Sequence, residues 1–267
     1  MAATRDDRID RLLTLQGRDG NWGVGVYDAD DWDSTIDALW LLHELDASID
    51  DERVRTAVDR VHADVRWDDR NGGRPFFEGE TEACVNGRVL TLGARFGHPD
   101  PALADRLVHE QLDDGGWNCE APASTRGSFH STICVLEGLL AVERATGGDD
   151  ALAAARHRGE EYLLRRGLLR SASTGRLLDE AWLLPHLPAY WCYDALRGLD
   201  HLRAAGAVPD ERTAEAVESV RRARRSDGAW TAMVSLPARQ VLDLEPKGGR
   251  SPLTTARALR VLAWAEA

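Results

Sequence analysis

Gln16-Gly17-Arg18-Asp19-Gly20-Asn21-Trp22-Gly23 recurs as Gln111-Leu112-Asp113-Asp114-Gly115-Gly116-Trp117-Asn118. It recurs again, without the Gln, as Arg225-Ser226-Asp227-Gly228-Ala229-Trp230. Two degenerate copies lie between, Asp69-Arg70-Asn71-Gly72-Gly73 and Ser173-Thr174-Gly175-Arg176. Turns near residues 20, 72, 115, 175 and 228 thus return at roughly 45–60 residues, a period that suits one helix pair per unit. Glycine allows the positive φ such a turn needs, Asp can accept from neighbouring backbone N–H groups, and Trp can fill the space between adjacent helices. The Gln amide can tie its own turn to the next hairpin. The three tryptophans therefore read as structural.

Segments before and after each turn differ in character. Val54, Ala57, Val58 and Val61 keep an i, i+3, i+4, i+7 stripe while Arg53, Arg55, Asp59 and Arg60 face away. Residues 101–111, 150–166 and 210–224 follow the same pattern. After the turns come denser apolar helices, Ile36 to Leu45 and Ile133 to Val142, the latter broken only by Glu137 and Gly138. A helix apolar on every side must be surrounded by protein. Start signals agree: Ser34, Thr81, Ser128 and Ser251-Pro252 for the apolar helices, Asp100-Pro101 and Pro209-Asp210 for the amphipathic ones. No stretch sustains period-2 alternation, so a sheet is not expected. The pattern predicts an all-α fold, an α/α toroid of about five hairpins with inner and outer rings, in one domain spanning residues 1–267.

Composition excludes several function classes. With 33 basic and 45 acidic side chains the formal net charge is −12, which disfavours nucleic acid and a polybasic membrane anchor. Lys247 is the only lysine, which leaves Schiff-base chemistry one candidate in a Gly-rich loop. No apolar run approaches the ~20 residues that span a bilayer. Met1 to Arg11 is charged and lacks the apolar core of a signal peptide, so four reduced cysteines in the cytoplasm are the expectation. Peripheral membrane contact and oligomeric state stay open. There is no P-loop, G-x-S-x-G, Rossmann fingerprint or H-E-x-x-H.

The Gln-x-x-Asp-Gly-x-Trp turn followed by an apolar helix resembles the repeat of the terpenoid cyclase and protein prenyltransferase superfamily, over residues 5–266. The closest likeness is to small bacterial stand-alone proteins carrying prenyltransferase and squalene-cyclase repeats. The resemblance implies a toroid with a central cavity and an apolar, isoprenoid-type substrate. Function follows less firmly, because one fold hosts several chemistries. The chain is about half the length of a two-domain triterpene cyclase.

If the inner helices run the same way, their N-termini gather candidate ligands at one rim. Glu82 and Cys84 follow Thr81, Cys119 lies in the loop before Ser128, His130 follows it, and Cys192 lies near the next inner helix. Cys134 sits one turn below His130. Cys84, Cys119, His130 and Cys192 would suit zinc, which takes about four N/S ligands tetrahedrally. Helix N-termini would favour their thiolates. Protein prenyltransferases hold zinc with Asp, Cys and His; here Glu82-Ala83-Cys84 stands in place of their Asp-x-Cys. Trp191-Cys192-Tyr193 is also similar to a zinc-ligand segment of lanthionine cyclases, although Asp194-Ala195 departs from that family's pattern.

A second constellation is acidic. Asp28-Ala29-Asp30-Asp31 resembles the Asp-x-Asp-Asp of class II terpene cyclases, where the residue matching Asp30 would protonate an alkene or epoxide. That chemistry needs a carboxyl kept protonated and aromatic faces for carbocations. Its position in an exposed-looking repeat loop argues against it. Glu82 and Asp194 are further acid–base candidates. Trp40, Trp182, Tyr190, Trp191 and Tyr193 could line a substrate cavity. Aromatic residues at 6% are few for a long cation cascade. Leu177 to Trp191, apolar and interrupted by Pro185 and Pro188, reads as a lid or a buried connection carrying Asp179, Glu180 and His186. The leading expectation is a zinc-assisted enzyme of this superfamily. The alternatives are a metal-free class II cyclase using Asp30, or a non-catalytic toroid that binds lipid or protein around a structural zinc.

Overall fold

The computed structural model describes residues 4–28, 32–231, 240–245 and 248–267. Those residues form ten α-helices and no strand or sheet. The amphipathic helices are α1 (Arg5–Thr14), α3 (Glu52–Asp64), α5 (Pro101–His109), α7 (Asp150–Leu164) and α9 (Ala214–Arg222). The alternating partners are α2 (Thr35–Glu44), α4 (Ala83–Arg95), α6 (Phe129–Thr146), α8 (Ala195–Ala204) and α10 (Pro252–Ala265). In α3 the buried residues are Val54, Ala57, Val58 and Val61, the stripe read from the sequence. Every residue of α2 from Thr35 to Leu42 is buried.

Carboxylate caps open three of the five amphipathic helices. Asp51, Asp100 and Asp149 each accept from first-turn N–H groups of α3, α5 and α7, and Pro101 follows at N1 in α5. Ser251 caps α10 in the same way. At α4 the cap is Glu82 rather than Thr81, whose hydroxyl instead donates to Glu80 at 2.9 Å. Helix α10 departs from the expected all-round burial: Thr254, Ala258 and Val261 are buried, while Leu259 is about half exposed. It packs mainly on α8 and α9.

The repeated turn has one hydrogen-bond plan in three places. Trp22, Trp117 and Trp230 each donate Nε1–H at 2.7 Å to a carbonyl of the preceding amphipathic helix, those of Leu12, Leu107 and Val220. Each Trp backbone N–H donates to a threonine hydroxyl near the start of the following helix, Thr35 (3.1 Å), Thr132 (3.0 Å) and Thr255 (3.0 Å). Gly20, Gly115 and Gly228 take φ of 84°, 91° and 84°, a region L side chains avoid. Gln16 donates its amide to Gly20 and to Ala57 of α3; Gln111 donates to Gly115 and to Ala155 of α7. Each Gln thus binds its own turn to the next amphipathic helix. In the third copy Arg224 replaces the Gln, donating to the Gly228 carbonyl at 3.0 Å and lying 5.3 Å from the Trp230 ring.

The apolar-side helices touch in chain order, α2 on α4, α4 on α6, α6 on α8 and α8 on α10. The closest pairing, α4 with α6, depends on two glycines. A Cβ at Gly87 would lie 2.4 Å from the Cys134 carbonyl, and one at Gly138 would lie 2.6 Å from the Gly87 carbonyl. Arg257 of α10 reaches Glu44 of α2 at 2.7 Å. One apolar core runs from Ile9 to Val261.

Candidate metal centre

At the start of α4 the chain brings two thiols together. Cys84, in the first turn, and Cys119, in the loop before α6, have Sγ atoms 2.8 Å apart. Cys119 Sγ also accepts from the Cys84 backbone N–H (3.2 Å) and lies 3.3 Å from the Ser131 hydroxyl. Glu82, the N-cap of α4, places a carboxylate oxygen 3.7 Å from Cys84 Sγ. The ligand atoms of Glu82, Cys84 and Cys119 lie within 4.8 Å of one another, the one such group of three among the described residues. The contact with Cys84 Sγ, the Ser131 hydroxyl and the Cys84 N–H draw the Cys119 thiol below its ordinary value. The same contact with Cys119, together with burial, pushes the Cys84 thiol up. The two thiols titrate as one coupled pair.

Two of the expected zinc ligands are not part of this group. His130 accepts the Tyr193 backbone N–H at Nδ1 (2.9 Å), which assigns the neutral ring's proton to Nε2 and leaves no lone pair for an ion. Its ring lies 5.1 Å from Trp191 and 5.5 Å from Trp182, and burial above all, with Arg197, lowers it to about 4. Cys192 is buried elsewhere, and burial pushes its thiol up to about 12. The predicted set of Cys84, Cys119, His130 and Cys192 thus contracts to the first two, joined by Glu82. A shared rim in the sequence fixes which end of a helix a residue occupies but not where its ring nitrogens or sulfur are committed.

The other acid–base candidates divide similarly. Asp194 is the N-cap of α8: its oxygens accept from the backbone N–H groups of Arg197 (2.8 Å) and His186 (2.9 Å), a structural use. Asp30 lies outside the described residues, as do Ala29 and Asp31. Asp179 caps the short 3-10 turn Glu180–Leu183.

Most of the aromatic candidates are committed to packing. Tyr190 is fully buried 4.1 Å from the Trp32 ring, and Tyr193, also fully buried, stacks edge-on with Phe129 and Trp182. The faces expected to meet carbocations already meet guanidinium groups. Arg88 lies 5.5 Å from the Trp40 ring and 5.6 Å from Tyr190, and Arg197 lies 5.4 Å from Trp40. Of the five aromatic candidates, Trp191 alone is half-buried. The segment from Leu177 to Trp191 is a buried connection over His186–Tyr190, with Leu178 and Leu184 exposed.

The sequence reading missed three features. Arg88 and Asp37, both 1% exposed, pair at 2.7 Å across α4 and α2, and Ser34 also donates to Asp37. Arg197 pairs with Glu137 at 2.6 Å in the same interior. An arginine amid the apolar positions of Asn86-Gly87-Arg88-Val89 and Ala195-Leu196-Arg197-Gly198 was the available signal. Tyr27 is the third: its phenol, pushed up chiefly by burial, lies close enough to feel charge on Cys84 and Glu82. No protein-family model matches the chain, and no curated protein matches it. Among the described residues no helix is long and apolar enough to cross a membrane.

Proposed function

We propose that this chain is a zinc-assisted enzyme of the terpenoid cyclase and prenyltransferase type, built as an α/α toroid, with its metal held by Glu82, Cys84 and Cys119. The observation that carries the reading is the meeting of Glu82 and Cys84, at the start of α4, with Cys119 from the loop before α6. Two sulfurs and one oxygen form a donor set zinc accepts, and three protein ligands leave the fourth position open, the catalytic pattern. Tetrahedral Zn–S bonds near 2.3 Å would set the sulfurs about 3.8 Å apart, so the pair opens by about 1 Å, a χ1 adjustment at one cysteine. Bound zinc would supply Lewis acidity or activate a thiol at that open position. Ser131 and the Cys84 N–H hold the Cys119 sulfur in place.

What supports the toroid is the chain-order contact of α2, α4, α6, α8 and α10, together with the reach of Arg257 to Glu44. An apolar isoprenoid-type substrate would meet Tyr27 beside the centre and Trp191 beyond it, since Trp40, Trp182, Tyr190 and Tyr193 are spent on packing. The test is metal content of protein purified without chelators, with Co(II) substitution as a second readout. One zinc per chain and a sulfur-to-cobalt charge-transfer band, both lost in Cys119→Ala, are expected. Neither signal in folded wild-type protein would overturn the proposal.

A further inference from the structure

A second site lies toward the C-terminal ends of α2, α4, α6 and α8. A cavity of about 270 Å³ opens there, lined by Trp40, His43 and Glu44 of α2, by Glu137 and Arg144 of α6, by Asp200 and Arg203 of α8, and by Arg257 and Arg260 of α10, among others. It shares no residue with the metal centre.

Its charge is unbalanced in an unusual direction. The chain carries −12, yet this cavity gathers five arginines (Arg144, Arg197, Arg203, Arg257 and Arg260) against three carboxylates (Glu44, Glu137 and Asp200). Five minus three leaves an excess of +2. Asp200 alone serves three guanidinium groups: Arg203 at 2.9 Å, Arg260 at 2.5 Å and Arg257 at 3.7 Å. Arg257 is also held by Glu44, Arg197 is held by Glu137, and Arg144 reaches, among the described residues, the Ala204 carbonyl. A carboxylate shared three ways leaves guanidinium N–H groups without an anionic partner.

Three polar atoms of lining residues are buried as well, with no hydrogen-bond partner among the described residues: Trp40 Nε1, His43 Nδ1 and His201 Nδ1. Trp40 is 2% exposed and its indole N–H can only donate. The volume equals that of roughly nine waters at ~30 Å³ each, or one small molecule.

We propose that this cavity binds a small dianionic oxyanion, a phosphate or a short dicarboxylate, whose charge offsets the arginine excess and whose oxygens accept from Trp40 Nε1–H and the guanidinium groups. Planar guanidinium forks match phosphate and carboxylate geometry, which makes oxyanions the class this lining recognises. Arg260, 47% exposed at its side chain, forms the outer edge, and Trp40 lies at the buried end.

Calorimetric titration of the full chain with inorganic phosphate and, separately, with succinate tests this at low ionic strength. One site per chain is expected for at least one of the two. Affinity should fall at least tenfold in Arg260→Gln, and also in Trp40→Phe, which keeps an aromatic ring and removes the donor. Circular dichroism confirms that each variant is folded, and retention of zinc in both separates this cavity from the metal centre. Binding of phosphate alone identifies a phosphoryl ligand; binding of succinate alone identifies a dicarboxylate. No binding of either anion, or binding unchanged in both folded variants, overturns the proposal.

Discussion

Replacing Thr132 by valine tests the threonine–tryptophan contact of the repeated turn. Valine matches threonine in shape, so the substitution opens no cavity and removes only the hydroxyl, which accepts the Trp117 backbone N–H at 3.0 Å and donates to the Trp117 carbonyl at 3.5 Å. Thr132 and Trp117 are both fully buried, so water cannot replace that acceptor. An orphaned buried N–H costs about 1–3 kcal/mol. For a chain of this size each kcal/mol lowers Tm by about 2–4 °C, which puts the expected loss at about 2–12 °C. Thr35→Val removes the matching acceptor of Trp22 at another fully buried threonine, together with the donor to Asn21 Oδ1 at 3.0 Å, and should cost at least as much. Thr255→Val does the same at Trp230, but Thr255 is half-buried and its turn can recruit water, so its loss should be the smallest of the three. Urea unfolding with an unchanged m-value, alongside calorimetry, measures all three. A Thr132→Val variant within about 0.5 kcal/mol of wild type would refute the reasoning, as would a Thr255→Val variant that costs as much as the other two.

Three further outcomes are expected. Gly87→Ala should destabilise by about 1–3 kcal/mol or more despite alanine's better helix propensity, because its Cβ would lie 2.4 Å from the Cys134 carbonyl across α4 and α6; a stability gain in denaturant would show that the helices separate freely. Arg88→Met leaves the buried Asp37 carboxylate without its cation and should cost about 3–5 kcal/mol at neutral pH. Burial pushes the Asp37 carboxyl up, so this deficit should shrink as the pH falls and Asp37 takes a proton; a constant deficit from pH 7 to pH 4 argues against it. His130 is lowered from 6.5 to about 4, so the unfolded chain binds the proton first as the pH drops. Its contribution is therefore complete above 6.5 and is lost between 6.5 and about 4, on the order of 3 kcal/mol. Proton NMR of the His130 ring should show a midpoint near 4, and a midpoint at 6 or above would contradict the enclosure by Trp182 and Trp191.

The amino-acid pattern by itself determined the helical class and the positions of the hairpins, because both depend on short-range physics. A stripe such as Val54, Ala57, Val58 and Val61 has one face at 3.6 residues per turn wherever the helix ends up. The Asp-Gly-x-Trp turn carries its own glycine conformation, and its indole bonds a carbonyl ten residues back, so three copies fold alike without reference to the rest of the chain. The role of Gln16 and Gln111, binding each turn to the next amphipathic helix, was legible for the same reason.

Tertiary structure decided which chemistry-bearing residues meet. Cys84 and Cys119 are separated by a turn, a helix and a loop, and only the close crossing of α4 on α6, permitted by Gly87 and Gly138, brings their sulfurs together. His130 occupies the start of an expected helix, yet a single backbone N–H from Tyr193 claims its lone pair. The Arg88–Asp37 pair and the arginine-rich cavity at the opposite ends of the helices involve side chains as far apart in sequence as Glu44 and Arg257. Charge pairing of that kind depends on through-space distance and desolvation, quantities that a linear pattern does not contain.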